Sequence, residues 1–220
     1  MSTQAELAKA REQVAAAARR LAEAGLVLGT AGNVSARAGD LVAITPTGAA
    51  LEELRAGQVA LVSLAGDHVD GELAASSELH LHLGIYDRYG AGAVVHTHAP
   101  LATALACVLD ELPCVHYQLM LLGGPVRVAP YHVFGTPELA QATLDALDGR
   151  AAALMANHGA IAYGSDLDGA VANSLLLEWG CTLYWRARSI GVPRVLDEAA
   201  RQAVVAAAVE RGYGSTKPAG

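Results

Sequence analysis

A chain of 220 residues, 53% of them hydrophobic, with a formal net charge of −7, is long enough to bury one large core and too acidic to present the basic stripe that a nucleic-acid surface needs. Every apolar run is broken by a charge, Gly or Pro well short of the roughly 20 residues of a membrane helix, and the charged start MSTQAELAKAREQ has no signal-peptide core. The cysteines Cys107, Cys114 and Cys181 are odd in number and too scattered for a disulfide framework or a cysteine zinc knuckle, which points to a reducing cytoplasm.

Residues 4–25 carry apolar positions at helical spacing and stop at Gly25. Val34, and then Leu41, Val42 and Ile44, predict two short strands around the turn AGD, and QVALVSLAGDHVDGE a second hairpin around Gly66-Asp67. Ser76-Ser77 suit the N-cap of a helix over ELHLHLGIYDRY. AGAVVHTH reads as a buried strand, and Pro100 as the opening of a helix through Val108. GPVRVAPY is a strand, Thr136-Pro137 cap a helix over ELAQATLDAL, and AAALMANHGAIAYG is strand, turn, strand. Two helices follow, the first long, before the tail YGSTKPAG. Helices alternate with strands, yet several strand pairs are hairpins. The fold class is α/β: a single domain over 1–220 with a mixed central sheet flanked by helices, and 213–220 a mobile C-terminal tail.

Within VVHTHAP, His96 and His98 are two residues apart and project from one strand face. Such a pair can hold a metal, carry protons or fill space. A catalytic zinc takes about three protein ligands, and the turn in MANHGAI offers His158 as a third, with Asn157 and Gly159 favouring a tight bend. Glu78 falls in the first helical turn, where the helix dipole favours a carboxylate; it reads equally as a capping residue. His80 and His82 cannot share a helix face and read as packing or surface residues. Gly32, Asn33, Thr47, Gly48, Ser76 and Ser77 suit a phosphate cradle of backbone N–H groups, hydroxyls and a helix N-terminus, although each is also an ordinary turn former.

The motifs TAGNVSAR, ITPTG, SSELHLH, VVHTHAP, HYQLMLLGG, APYHVFGT, NHGAIA and a terminal YG, in that order along nearly the whole chain, together resemble the class II, zinc-dependent aldolase/adducin-like family, closest to its L-fuculose-1-phosphate aldolase branch. The resemblance implies a three-layer fold and retro-aldol cleavage of a ketose 1-phosphate to dihydroxyacetone phosphate and an aldehyde. It implies one zinc, or another divalent ion, per subunit on His96, His98 and His158, with Glu78 as acid/base and as an extra ligand when no substrate is present. Phosphate contacts fall on Asn33, Thr47, Gly48, Ser76 and Ser77, with Gly32 beside them. Tyr117 would reach into a neighbour's site, Tyr213 would serve the aldehyde from the tail, and Phe134 would stand at the aldehyde end. A partly dry pocket should raise the pKa of Glu78, and contact with the metal should lower it. The only lysines, Lys9 and Lys217, lie near the chain ends, which disfavours Schiff-base chemistry.

Two other activities share this scaffold, pentulose-phosphate 4-epimerisation and methylthioribulose-1-phosphate dehydration. The stretch CVHYQLMLLGG lacks the acidic and histidine-bearing segment expected of an epimerase. A metal-free, adducin-like interaction domain predicts a lost histidine triad, whereas this chain keeps all three. The implied assembly is a cytoplasmic homotetramer with sites between subunits, acting on a small sugar phosphate and on neither nucleic acid nor membrane.

Overall fold

Near-continuous apolar runs bury the central strands of this chain on both faces. The computed structural model describes residues 3–212, and among these nine strands form one sheet. They are β1 (Asn33–Ala38), β2 (Leu41–Ile44), β3 (Ala60–Ser63), β4 (His68–Asp70), β5 (Ala93–Thr97), β6 (Glu111–Leu112), β7 (Val126–Ala129), β8 (Ala152–Met155) and β9 (Gly159–Gly164), in the order β4-β3-β2-β1-β5-β9-β8-β7-β6. Neighbours run antiparallel except β7 and β8. The mixed sheet expected from the hairpins is therefore what forms. The helices are α1 (Gln4–Glu23), α2 (Leu79–Tyr89), α3 (Pro100–Ala106), α4 (Pro137–Ala146), α5 (Leu167–Ile190) and α6 (Glu198–Arg211). None of them is long and apolar enough to cross a membrane. Tyr213 and the rest of the segment 213–220 lie outside the described residues.

The central strands sort their side chains by parity, because successive residues face opposite ways. Val95, Ala160, Ala162 and Leu154 join α1, α3 and α5 in one core, while Val94, Ile161, Ala153 and Met155 join α2 and α4 in the other. On α1, Val14, Ala18 and Leu21 recur at helical spacing and are fully buried. Burying a Val or Leu side chain is worth about 1.5–3 kcal/mol. Thr3 and Glu6 close the start of that helix as a reciprocal capping box, worth about 0.5–2 kcal/mol.

Two details depart from the expected pattern. The short strand β6 and the 3-10 turns over Tyr117–Leu122 have too few residues to show a period. At the start of α2 the N-cap position belongs to Glu78, with no side-chain cap bond. Ser76 Oγ instead accepts from the Glu78 N–H at 3.2 Å. Glu78 is therefore neither a first-turn residue nor a capping carboxylate, and its side chain turns away from the helix axis toward the histidines.

The turn between β8 and β9 is built by Asn157, which adopts φ 53°, the sole positive φ outside glycine among the described residues; Asn tolerates that region better than most side chains. At Gly159 a Cβ would stand 2.3 Å from the Thr97 carbonyl oxygen and 3.1 Å from the His98 ring, so the two histidine-bearing segments approach more closely than any side chain allows. Gly159→Ala should destabilise the fold by about 1–3 kcal/mol, read as a fall in the midpoint of denaturant or thermal unfolding.

Candidate active site

His96 sits near the end of β5, fully buried, on the face shared with Val94 and α2. His98 follows one residue beyond the strand, and His158 comes from the β8–β9 turn. The three expected histidines do meet. Their candidate ligand atoms all lie within 4.8 Å of one another. His96 Nε2 and His98 Nε2 are 3.0 Å apart, and the three rings stand edge to face at centroid separations of 4.9, 4.9 and 5.1 Å. His96 Nδ1 donates to the Ala160 carbonyl at 2.9 Å. That bond fixes the ring and turns Nε2 inward, the usual support of a metal-ligating imidazole.

Glu78 closes the cluster. Oε2 lies 3.0 Å from His96 Nε2, and Oε1 lies 3.4 Å from His158 Nε2. Asn33 Nδ2 donates to Oε2 at 2.9 Å. Among the described residues Oε1 is buried without a hydrogen bond, a costly position for a carboxylate oxygen unless something positive completes it. Burial alone would raise the Glu78 pKa, as expected of a dry pocket, but the charge and hydrogen bond of His96, the Asn33 amide and the charge of His158 outweigh it and hold the carboxyl well below its usual range. Burial likewise works against the His96 charge, yet Glu78 and the Ala160 carbonyl carry its pKa upward. Burial, followed by the charges of His96 and His158, pushes His98 down to about 4. Burial and then His96 lower His158. Four donor groups thus compete for one positive charge. Three imidazoles and an oxygen at this spacing fit a divalent cation of the zinc type.

A cavity of ≈ 180 Å³ opens beside the cluster, lined by Gly32, Asn33, Thr47, Gly48, Ser76, Ser77, Glu78, His98, Phe134 and His158. The expected cradle residues are therefore brought together with the histidines. Thr30, Ala31 and Pro46 also line it; Thr30 was visible only as one more small polar residue in GTAGN. The Thr47 N–H donates to the Ala74 carbonyl and the Ser76 N–H to Thr45, each at 3.1 Å. These bonds zip the two cradle loops together and leave the Thr47 and Ser76 hydroxyls, not their amides, to meet a ligand. Among the described residues, no Lys or Arg lines the cavity. It lies instead at the N-terminal end of α2, the positive end of the helix dipole. Gly32 is held at φ +87°, and a Cβ there would come within 2.8 Å of the His96 carbonyl oxygen.

Tyr117 is not part of this cavity. It stands 44% exposed beside His116, whose ring is 4.6 Å from its own and 4.9 Å from that of Trp179. Sequence reasoning missed His82, Ser35 and Tyr86, which form a buried polar chain behind Asn33.

Residues 12–185 match the family model for the class II aldolase and adducin N-terminal domain. A 5-deoxy-D-ribulose 1-phosphate aldolase of Bacillus thuringiensis is 40% identical over 159 residues, covering 72% of this chain and 75% of the relative. An L-fuculose phosphate aldolase of Escherichia coli is 36% identical over 163 residues, covering 72% and 75%. A solved L-fuculose 1-phosphate aldolase superposes with a TM-score of 0.87 at 33% identity, covering 94% of this chain and 97% of that one.

Metal analysis of the purified protein should find close to one divalent ion per chain. His96→Ala should lose it on dialysis, with affinity falling by more than the roughly 10–100-fold that follows loss of an outer partner.

Proposed function

The chain belongs to the class II aldolase and adducin family, and from that footing we propose that it cleaves the C3–C4 bond of a ketose 1-phosphate to give dihydroxyacetone phosphate and an aldehyde, with zinc as its metal. The observation that carries this reading is the meeting of three imidazoles and a buried carboxylate beside a cavity of hydroxyls and amides. The names of the relatives supply two substrates to try first, 5-deoxyribulose and fuculose 1-phosphates.

His96, His98 and His158 would hold the metal, and Glu78, within 3.0 Å of His96 and 3.4 Å of His158, could reach the same point. A cation bound there supplies Lewis-acid stabilisation of the negative charge that develops at the substrate carbonyl as the bond breaks. The substrate phosphate lies among Thr47, Gly48, Ser76, Ser77, Gly32 and the second amide proton of Asn33, bound by hydroxyls and dipoles. Glu78, kept ionised by Asn33 and His96, gives and takes the proton at the carbon that becomes the hydroxymethyl group of dihydroxyacetone phosphate. Phe134, 68% exposed at the cavity, faces the aldehyde end.

Tyr117 of a neighbouring subunit and Tyr213 complete that end in a cytoplasmic homotetramer. The exposed rings of Tyr117 and Trp179, both packed against His116, support such an interface, since exposed apolar surface of this kind marks association sites. Lys9 lies exposed on α1 and is not among the residues lining the cavity, and Lys217 lies outside the described residues; this reading runs the reaction through the metal, without an imine.

Assay of 5-deoxyribulose, fuculose, rhamnulose and ribulose 1-phosphates should release dihydroxyacetone phosphate from at least one. An isomeric pentulose phosphate would instead identify an epimerase, and a diketone a dehydratase. Glu78→Gln should retain the metal while slowing proton exchange into dihydroxyacetone phosphate by about 10²–10⁴-fold, followed by deuterium incorporation. An exchanging variant of unchanged rate would remove Glu78 from the role of base.

A further inference from the structure

Behind the cavity, one face of α2 carries a polar stripe where an apolar one is usual. Glu78, His82 and Tyr86 recur every four residues and so lie on one side of the helix. They meet Asn33 and Ser35, alternate residues on one face of β1. All five are buried, His82 completely. Tyr86 Oη lies 2.6 Å from Ser35 Oγ, and Ser35 Oγ lies 2.7 Å from His82 Nδ1. His82 Nε2 reaches Asn33 Oδ1, and Asn33 Nδ2 reaches Glu78 Oε2.

The placement of every proton follows from the two ends of this chain of contacts, Glu78 and Tyr86. An ionised carboxylate only accepts, so Asn33 turns its NH2 group to Glu78 and its oxygen to His82. That oxygen also only accepts, so His82 Nε2 carries the hydrogen. The buried Tyr86 hydroxyl finds Ser35 Oγ as its acceptor among the described residues, so the Ser35 hydrogen goes to His82 Nδ1, which is then an acceptor on a neutral ring. Ser35 therefore donates to His82, and Tyr86 donates to Ser35.

We propose that His82, backed by Ser35 and Tyr86, is a positioning residue that locks the amide of Asn33 with its NH2 group toward Glu78. An amide is nearly the same shape after a half-turn, so packing alone does not choose between the two orientations. In the wrong one, Oδ1 would face the carboxylate and NH2 would face the Nε2–H of His82, placing like against like at both ends. The single imidazole tautomer excludes that orientation. The kinetic consequence rests on the reading of Glu78 as the proton carrier; the geometry does not.

The test compares wild type, His82→Leu and His82→Gln. Glutamine can donate to Asn33 and accept from Ser35; leucine can do neither. In metal-free wild type, nitrogen-15 NMR should show the His82 ring protonated at Nε2 and bare at Nδ1, with one Asn33 side-chain amide proton protected from exchange. His82→Leu should speed that exchange roughly ten-fold or more. In the metal-loaded enzyme it should lower kcat roughly 10–100-fold while KM moves far less, and His82→Gln should recover most of kcat at a similar Tm. If His82→Leu fails to fold, Ser35→Ala takes its place and should shift the ring toward the Nδ1–H tautomer. An Nδ1–H ring in wild type, an Asn33 amide that exchanges as fast in wild type as in the variant, or a His82→Gln enzyme no better than His82→Leu would overturn the proposal. A wild type that cleaves no ketose 1-phosphate but keeps the protected amide and the Nε2–H ring overturns the aldolase reading and upholds the positioning role.

Discussion

A carboxylate that is only 6% exposed is the constraint around which this site is arranged. Removing such a charge from water costs several kcal/mol unless other groups compensate it. Glu78 receives that compensation from two sides. Asn33 offers a hydrogen bond from β1, and His96 and His158 offer positive charge from β5 and the β8–β9 turn. Two of these are themselves tied down, His96 by the Ala160 carbonyl and Asn33 by His82. A cation among the imidazoles would satisfy the same demand, so the groups that stabilise the buried carboxylate are also the ones that could hold a metal.

The sheet explains why such distant residues can meet. Strands β1, β5 and β9 are consecutive at its centre, and their registers set Asn33 opposite His96 and His96 opposite Ile161. Site residues come from the loops and strand ends at one side of these central strands, whose bodies are fixed by two cores. Loops on such a rigid frame are the usual location of chemistry. The cavity draws its capacity for an anion from the start of α2 and from hydroxyls, in a protein of formal net charge −7.

Much of this was readable in the chain. Strand β1 and the helix α1 show periods of two and about 3.6 residues, β2 stands out as a short apolar run beyond the turn AGD, and the His96/His98 pair declares itself by alternation. Even the tight bend at His158 is announced by Asn157 and Gly159. Glu78 was legible as a polar residue at a helix start, but not its orientation, since a carboxylate there normally caps the helix. His82 was the real loss. On α2 it looks like one more polar residue among leucines, and its partners Asn33 and Ser35 lie 49 and 47 positions away. Only the packing of α2 on β1 turns the four-residue spacing of Glu78, His82 and Tyr86 into a connected chain. Tyr117 carries no local signal at all, since a solvent-facing aromatic acquires a role only from what covers it.

The pairing of Asn33 with His96 across β1 and β5 has a consequence for folding fidelity. A strand that slips by one residue turns every side chain to the opposite face. Ala- and Val-rich strands such as AVVHT and NVSARA would tolerate that slip in their hydrophobic contacts, because both faces of the sheet are buried and small residues fit either core. The polar residues would not. Asn33 and Ser35 would enter the apolar layer under α1 and α5, and Glu78 and His82 would be left buried without partners. The polar chain therefore acts as a register check on a sheet whose apolar residues discriminate poorly, so that a misaligned molecule is penalised at the place where misalignment would also destroy the chemistry.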